Sequence, residues 1–518
     1  MSVERRAPDR PLVTGARIAG NSGWNLAAFA TGIAVNLVTV PIVVKRIGMH
    51  DFGVAGLVIA LVAPLLLVGT VLGQAAAQGI AQYRDERTRA RQAMSNVLAL
   101  FALSLPAGAL LLAGLAPSAA GGLFGEATTS GVELHTIFAI AALGWAAQQA
   151  NAVLQGIHVG GEAYRRIAGV NAASALIGGM LIVVIVDRAP SAIGYVAALA
   201  AGYWATLMLW LASTWRDARW TLARPRFERA QLGRVLTFSG WQMIAQLTAT
   251  LAAQADRYLL GLYVRPQTVG FYNVAQRLEE VAYIGVLKAG EVLFPHFSST
   301  AQDDQSRVAK RYFRASWLLN VVAAAALAPL LPWAHDILRI WIDASTAARS
   351  ADVLRVLALG GLIGCASNVF AFFALGTGRT HHLALLSAAT AAVSIAVSLL
   401  LLPRFGLAAA GYGALIGMLA QFAVVTALTR RVFGAHASFS RILHATVMPA
   451  VIALGVAAAL TALPRPAPNG WLTLLAALAV TSTSIVAVIV AVAGASQAGR
   501  TSLADLCGLT RRAGSGRR

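Results

Sequence analysis

The sequence is short of charge, since only 12% of its 518 residues are Asp, Glu, Lys or Arg. That is about half the share of an average soluble protein, and a soluble domain with so few charges could not cover its surface. Cysteine is scarce as well, because Cys365 and Cys507 are the only two, too few for a disulfide framework. The Gly-x-x-x-x-Gly-Lys-Ser/Thr phosphate loop is missing, which argues against direct use of ATP. These absences exclude a soluble enzyme, a disordered chain and a disulfide-rich secreted domain.

Long apolar runs dominate what is present. Hydrophobic residues make up 58% of the chain, and the mean hydropathy is +0.69. A helix needs about 20 apolar residues to cross a hydrocarbon core of ~30 Å. Fourteen candidate spans meet this requirement, at 24–44, 53–75, 95–116, 136–156, 167–187, 193–213, 237–263, 279–298, 315–333, 353–375, 382–402, 407–429, 444–463 and 471–493. The sequence therefore predicts an all-α, polytopic membrane protein.

The basic residues predict the orientation of these spans. The chain has 41 basic and 21 acidic residues, and 29 of the basic ones lie in the two tails and the even-numbered connections, against nine in the odd-numbered connections. By the positive-inside rule, both termini are then cytoplasmic and the number of spans is even. The charge is spread between apolar runs, whereas a nucleic-acid-binding protein clusters it on a soluble module. We therefore expect a multi-pass protein with no nucleic-acid partner.

An internal repeat is visible at an offset of 217 residues. The matching elements are Ser22-Gly23-Trp24 with Ser239-Gly240-Trp241, Gly53 with Gly270, and Gly194-Tyr195 with Gly411-Tyr412. An offset of six spans preserves orientation, so the repeats are parallel and related by a pseudo-twofold axis along the membrane normal. This predicts two six-helix lobes, 1–235 with a basic cytoplasmic connection and 236–435, followed by two extra helices and a basic tail in 436–518. Duplication kept only for packing is the alternative, and transport is favoured over it.

Polar residues at membrane depth are the candidates for a substrate cavity. They are Gln148, Asn151, Gln155 and His158 in span 4, Gln246, Gln254, Asp256 and Arg257 in span 7, and Arg277, Lys288 and Glu291 in span 8. In lipid such groups must face protein or water. For the amides, hydrogen bonding between helices and lining of a cavity are equally good interpretations.

The charges in span 8 are more informative. Lys288 and Glu291 are three residues apart, so they share a helix face and can pair. A single charge at the bilayer centre costs roughly 2.5–3.5 kcal/mol, and keeping both there favours a polar cavity over a purely structural ion pair. Positive groups in such a cavity suit an anionic substrate such as a pyrophosphate.

Enzymatic function is not predicted, and neither are catalytic residues, a cofactor or a metal site. A membrane glycosyltransferase or polymerase would be expected to carry its catalytic residues on a substantial extracytoplasmic loop. The longest connection here, 214–236, falls on the cytoplasmic side. We therefore expect a transporter, and a membrane glycosyltransferase or polymerase is the less favoured alternative.

Two segments resemble a known family. The first runs from Pro41 to Gly48 and continues with Phe52-Gly53; the second begins at Asp256-Arg257 and extends through Gly270 and Tyr272 to Arg277. Both are similar to motifs of the polysaccharide transporters, the Wzx-type flippases of the MATE/MOP superfamily. Only Asp256, Arg257 and Arg277 carry over by motif, whereas Lys288 and Glu291 rest on the physical argument.

The resemblance implies a function in the bacterial inner membrane. A flippase of this kind moves an undecaprenyl-pyrophosphate-linked oligosaccharide from the cytoplasmic to the periplasmic leaflet by alternating access, for O-antigen or exopolysaccharide synthesis. Its partners would be the bilayer, the lipid-linked oligosaccharide, H⁺ or Na⁺ as a coupling ion, and polymerase and chain-length proteins. An ion-coupled multidrug exporter of the same superfamily is the alternative.

Overall fold

The computed structural model describes residues 15–83, 86–122, 131–215, 224–290, 304–376, 380–464 and 466–495. Every regular element in these ranges is helical, and each of the fourteen predicted spans overlaps a helix. The first seven helices are α1 (Gly15–Gln82), α2 (Arg87–Gly122), α3 (Gly131–Gly160), α4 (Tyr164–Arg188), α5 (Ala192–Trp215), α6 (Arg229–Tyr263) and α7 (Pro266–Gly290).

The second part of the chain continues in the same way. Its helices are α8 (Gln305–Leu327), α9 (Leu330–Trp341), α10 (Ala344–Gly376), α11 (Thr380–Phe405), α12 (Leu407–Phe433), α13 (Phe439–Ile442), α14 (Met448–Ala462) and α15 (Trp471–Ala495). A 3₁₀ turn, Gly434–His436, precedes α13, and a π-helical turn, Leu443–Val447, joins α13 to α14. The all-α membrane fold predicted from the sequence is confirmed.

Helix α1 contains two predicted spans joined at Gly48. This residue has φ 79° and ψ 166°, a conformation that glycine adopts without the strain that a side chain would cause. Ala27–Gln82 is one of eleven segments of the described chain that are long and apolar enough to cross a membrane, and its 56 residues suffice for two crossings.

Helices α6 and α7 are the two predicted spans that do not appear among those eleven apolar segments. Predicted span 8, 279–298, overlaps the second half of α7, which begins at Pro266, and its residues from 291 onward lie outside the described range. Gln267, Asn273 and Arg277 lower the hydropathy of the first turns of α7, so the apolar run starts inside the helix. Polar residues are therefore concentrated in the two helices that carry the family motif.

The first compact unit contains most of α1, α2 up to Ser118, α3 to α5, and α6 up to Ile244. Its core includes Leu72, Met94, Val153 and Val235. Asn96 fixes the basic connection to this core, since its side chain bonds both the carbonyl oxygen of Glu228 (3.0 Å) and the Glu228 amide (2.7 Å).

The second compact unit contains the Ile47–Leu61 part of α1 and the chain from Ala245 onward. The two extra C-terminal helices pack on α8 and α9 in this unit. The indole nitrogen of Trp333 donates to Oγ1 of Thr481 (3.0 Å), and the Oγ of Ser482 donates to the carbonyl oxygen of Ala325 (2.9 Å). The 1–235, 236–435 and 436–518 division stays a prediction.

A close crossing joins the Ile47–Leu61 segment to the start of α7, within the second unit. A Cβ added to Gly53 would lie 1.8 Å from the carbonyl oxygen of Pro266, and one added to Gly270 would lie 2.4 Å from the carbonyl oxygen of Met49. Met49 and Pro266 are separated by the same 217 residues as Gly53 and Gly270. Such a reciprocal contact is the signature of a twofold relation and agrees with the predicted repeat.

Candidate functional site

Asp256 is the centre of a hydrogen-bonded group that joins three helices. The Tyr272 hydroxyl of α7 donates to one carboxyl oxygen (2.8 Å), and the Ser398 hydroxyl of α11 donates to the other (3.3 Å). Both oxygens of Asp256 are thus satisfied by hydroxyl groups of the same unit. These hydrogen bonds stabilise the fold, because an unsatisfied polar group inside a membrane costs several kcal/mol of free energy.

Arg257 follows directly but has different partners. Its Nε donates to the side-chain oxygen of Asn273 (2.8 Å), and Nη1 bonds the side-chain oxygen of Gln254. Both acceptors are neutral amides, so they hold the guanidinium in place without cancelling its charge. Asp256, Arg277 and Glu280 lie within electrostatic range of Arg257.

Arg277 and Glu280 form an ion pair on α7, with 3.2 Å between Nη1 and Oε2 and with both side chains about two-fifths exposed. The neighbouring Glu279 carboxylate packs against Gly361 of α10, since a Cβ added to Gly361 would lie 2.4 Å from its Oε1. We call Asp256, Arg257, Arg277, Glu279 and Glu280 the α6–α7 cluster. It holds two arginines and three carboxylates, so it is mixed in charge, and Arg257 is its arginine with neutral hydrogen-bond acceptors.

The predicted Lys288–Glu291 pair falls partly outside the described residues. Lys288 is exposed and lies in the last turn of α7, and Glu291 is beyond the described range. In α6, Gln254 contacts Arg257, and Gln246 is half-buried.

The span 4 residues, now on α3, bond mainly to helix backbone in the first unit. Asn151 is buried and donates to the carbonyl oxygen of Tyr203 (2.9 Å). The buried His158 bonds the carbonyl oxygen of Leu154 (2.9 Å), and its ring centroid lies 5.0 Å from that of Trp210. These contacts favour a role in holding helices together. Gln148 and Gln155 are half-buried.

The sequence interpretation overlooked several partners. Gln149, the neighbour of the predicted Gln148, is 1% exposed and donates to the carbonyl oxygen of Leu65. Tyr272 and Asn273 lie inside the second motif, which could have marked them. Ser398 is 142 residues from Asp256, and no local pattern pointed to it.

The sequence of this chain is similar to those of known proteins. A family model described as "Polysaccharide biosynthesis protein" matches residues 42–344. A "Putative O-antigen transporter" of Shigella flexneri is 22% identical over 399 residues, which cover 75% of this chain and 91% of that protein.

Two solved structures support the fold. The lipid II flippase MurJ, in an inward closed conformation, aligns with a TM-score of 0.72 at 11% identity, covering 90% of this chain and 98% of the other. An inward-facing multidrug resistance MATE transporter of the MOP superfamily aligns with a TM-score of 0.65 at 16% identity, covering 79% and 96%. Because the family model spans more than half of the sequence, this chain belongs to the polysaccharide biosynthesis family of membrane transporters.

Proposed function

We propose that this transporter moves an undecaprenyl-pyrophosphate-linked oligosaccharide from the cytoplasmic to the periplasmic leaflet, for O-antigen or exopolysaccharide synthesis. The protein would lie in the bacterial inner membrane with both termini in the cytoplasm. Two repeated helix bundles would expose the substrate to one side of the membrane and then to the other. H⁺ or Na⁺ would couple the cycle, and polymerase and chain-length proteins would use the product.

The observation that carries the proposal is the setting of Arg257. Its hydrogen-bond acceptors are the amides of Asn273 and Gln254, so its positive charge is held in position and available to an anion. A guanidinium recognises phosphate oxygens through paired, charge-assisted hydrogen bonds. The nearby Arg277–Glu280 pair would allow an arginine to exchange its carboxylate for a phosphate.

The test replaces Arg257 with Ala in a strain whose surface polysaccharide depends on this protein. We expect polysaccharide to be lost while the protein stays in the membrane, because the diphosphate would lose its fixed cation. Arg89→Ala is the control, since Arg89 forms an exposed ion pair with Glu86 and such pairs contribute about 0–1 kcal/mol. Normal polysaccharide in the Arg257→Ala strain would contradict the proposal. Lys288→Ala, compared in the same strain, tests the predicted role of that residue.

An ion-coupled multidrug exporter is the second candidate, and the likeness in fold to a MATE transporter favours it. The two functions differ in their cargo. The test uses purified protein in liposomes. Export of cationic dyes driven by an inward H⁺ or Na⁺ gradient, without translocation of a lipid-linked oligosaccharide, would establish the exporter in place of the flippase.

A further inference from the structure

A stripe of basic residues occupies the first turns of α8. Arg307, Lys310, Arg311 and Arg314 are spaced i, i+3, i+4 and i+7, and at 3.6 residues per turn they fall within an arc of about 100°. The first turn of α8 contains no acidic residue. Arg307 and Lys310 are exposed, and the other two are half-buried. We call these four residues the α8 stripe.

The stripe lies on the less buried side of α8, where the protein still covers part of Arg314. The opposite face is buried through Ala309, Tyr312, Ser316 and Leu319. Further along, the same outward face continues with Leu318 and Val322, which are 38% and 41% exposed. A cationic patch is thus followed by an apolar surface along one helix face.

Arg314 is the unusual member of the stripe. Its Nε and Nη2 are buried, and neither finds a hydrogen-bond acceptor in the described chain. Other half-buried arginines are satisfied, as Arg355 is by Asp352 and by the carbonyl oxygen of Leu331. A buried donor without a partner costs about 1–3 kcal/mol, and more when charged, so such groups in native proteins call for an explanation.

The geometry of the unpaired atoms indicates the missing partner. Nε and Nη2 form one edge of the guanidinium, whose two parallel N–H groups match two oxygens of a phosphate or carboxylate. No carboxylate of the described residues occupies that edge. Lys310 and Arg311, on the same helix face, would add positive charge toward the same ligand.

We propose that Arg314, supported by Lys310 and Arg311, binds the phosphate oxygens of a lipid diphosphate at the end of α8 that the positive-inside rule assigns to the cytoplasm. The apolar continuation at Leu318 and Val322 suits the hydrocarbon chain of such a lipid better than a free anion. This inference rests on the proposed function and adds a loading site on α8, separate from the α6–α7 cluster.

The experiment measures binding of undecaprenyl diphosphate, without sugar, to the full-length protein in nanodiscs of a neutral phospholipid. Arg314→Gln should weaken binding by about tenfold or more, as expected for hydrogen bonds from a charged group. Arg314→Lys, which keeps the charge but loses the bidentate edge, should fall between. Arg430→Gln is the matched control, because Arg430 is exposed, lies over the Phe439 ring and ends a neighbouring helix.

Thermal unfolding separates a binding role from a structural one. Ligand-free Arg314→Gln should unfold at the same or a higher temperature than the unmodified protein, since it removes an unpaired buried charge, but it should lose the stabilisation by undecaprenyl diphosphate. Earlier unfolding of the ligand-free variant, or unchanged affinity, would overturn the proposal. Equal stabilisation by inorganic pyrophosphate or by phosphatidylglycerol would also overturn it, by showing a site for free anions or for bulk lipid.

The two proposals can fail separately. If Arg257→Ala leaves surface polysaccharide intact while Arg314→Gln loses binding of the diphosphate, the flippase function fails and the α8 site stands. If Arg257→Ala abolishes polysaccharide and Arg314→Gln binds normally, only the α8 site is lost.

Discussion

Asp256 and Arg257 are neighbours in the chain, yet hydroxyl groups satisfy the first and amides the second. Successive side chains of a helix point about 100° apart, so each meets a different set of residues. The carboxyl group is fixed by residues of α7 and α11, and the guanidinium is fixed by Asn273 of α7 and by Gln254 of its own helix. At the scale of single residues, the motif therefore contains two roles: Asp256 joins helices, and Arg257 is a positive charge held in a fixed position.

Tyr272→Phe tests this junction. The 2.8 Å bond from Tyr272 is shorter than the 3.3 Å bond from Ser398, and Tyr272 is 2% exposed. Loss of the hydroxyl should reduce the free energy of unfolding by about 1–3 kcal/mol, measured by chemical denaturation in detergent, and Ser398→Ala should cost less. Tyr263→Phe is the control, because Tyr263 is 62% exposed. Equal stability of Tyr272→Phe and the control would show that the bond contributes nothing.

At the scale of helices, Pro64 inside α1 explains a distant contact. Proline has no amide hydrogen, so it cannot donate to the carbonyl oxygen four residues earlier, which belongs to Ala60. The Tyr258 hydroxyl of α6 donates to that oxygen at 2.7 Å. In a membrane helix, a carbonyl freed by proline must find another donor, and here α6 supplies it.

A double-mutant cycle checks this explanation. Tyr258→Phe alone should destabilise the protein by about 1–2 kcal/mol, because a buried carbonyl loses the donor that α6 supplies. In a Pro64→Ala background, the amide of residue 64 can donate to Ala60, so the same change should cost clearly less. The measurement is the coupling energy from denaturation of the four proteins. Additive effects would mean that Tyr258 does not compensate for the proline.

Elements of this protein could be predicted where the signal is local. A run of about 20 apolar residues is enough to place a span, and all fourteen predictions met a helix. The apolar run covers only the second half of α7, because Gln267, Asn273 and Arg277 occupy its first half. Other features depend on tertiary packing and cannot be predicted from spacing in the sequence. They include the contact of Tyr258 with Ala60, 198 residues away, and the unpaired edge of Arg314.

At the scale of the whole molecule, matching positions of the predicted 217-residue repeat lie in contact with each other. Gly53 packs on Pro266, and its counterpart Gly270 packs on Met49, the counterpart of Pro266. In both cases the obstacle to a side chain is backbone, which cannot move aside as a flexible side chain could. Each copy of the predicted repeat therefore needs a glycine where the two helix segments cross.

Alanine substitutions at this crossing should reveal its symmetry. Gly53→Ala and Gly270→Ala should each destabilise the protein by about 1–3 kcal/mol, as overpacking does. Gly285→Ala, in α7 with no atom near the new Cβ, should be neutral or slightly stabilising because alanine favours helix by about 0.5–1 kcal/mol. The double variant should lose less stability than the sum of the two single variants, since either methyl group already opens the same crossing. Denaturation in detergent measures all four proteins. Strictly additive losses would mean that the glycines act at two independent contacts, and the repeat would then have no shared crossing at this point.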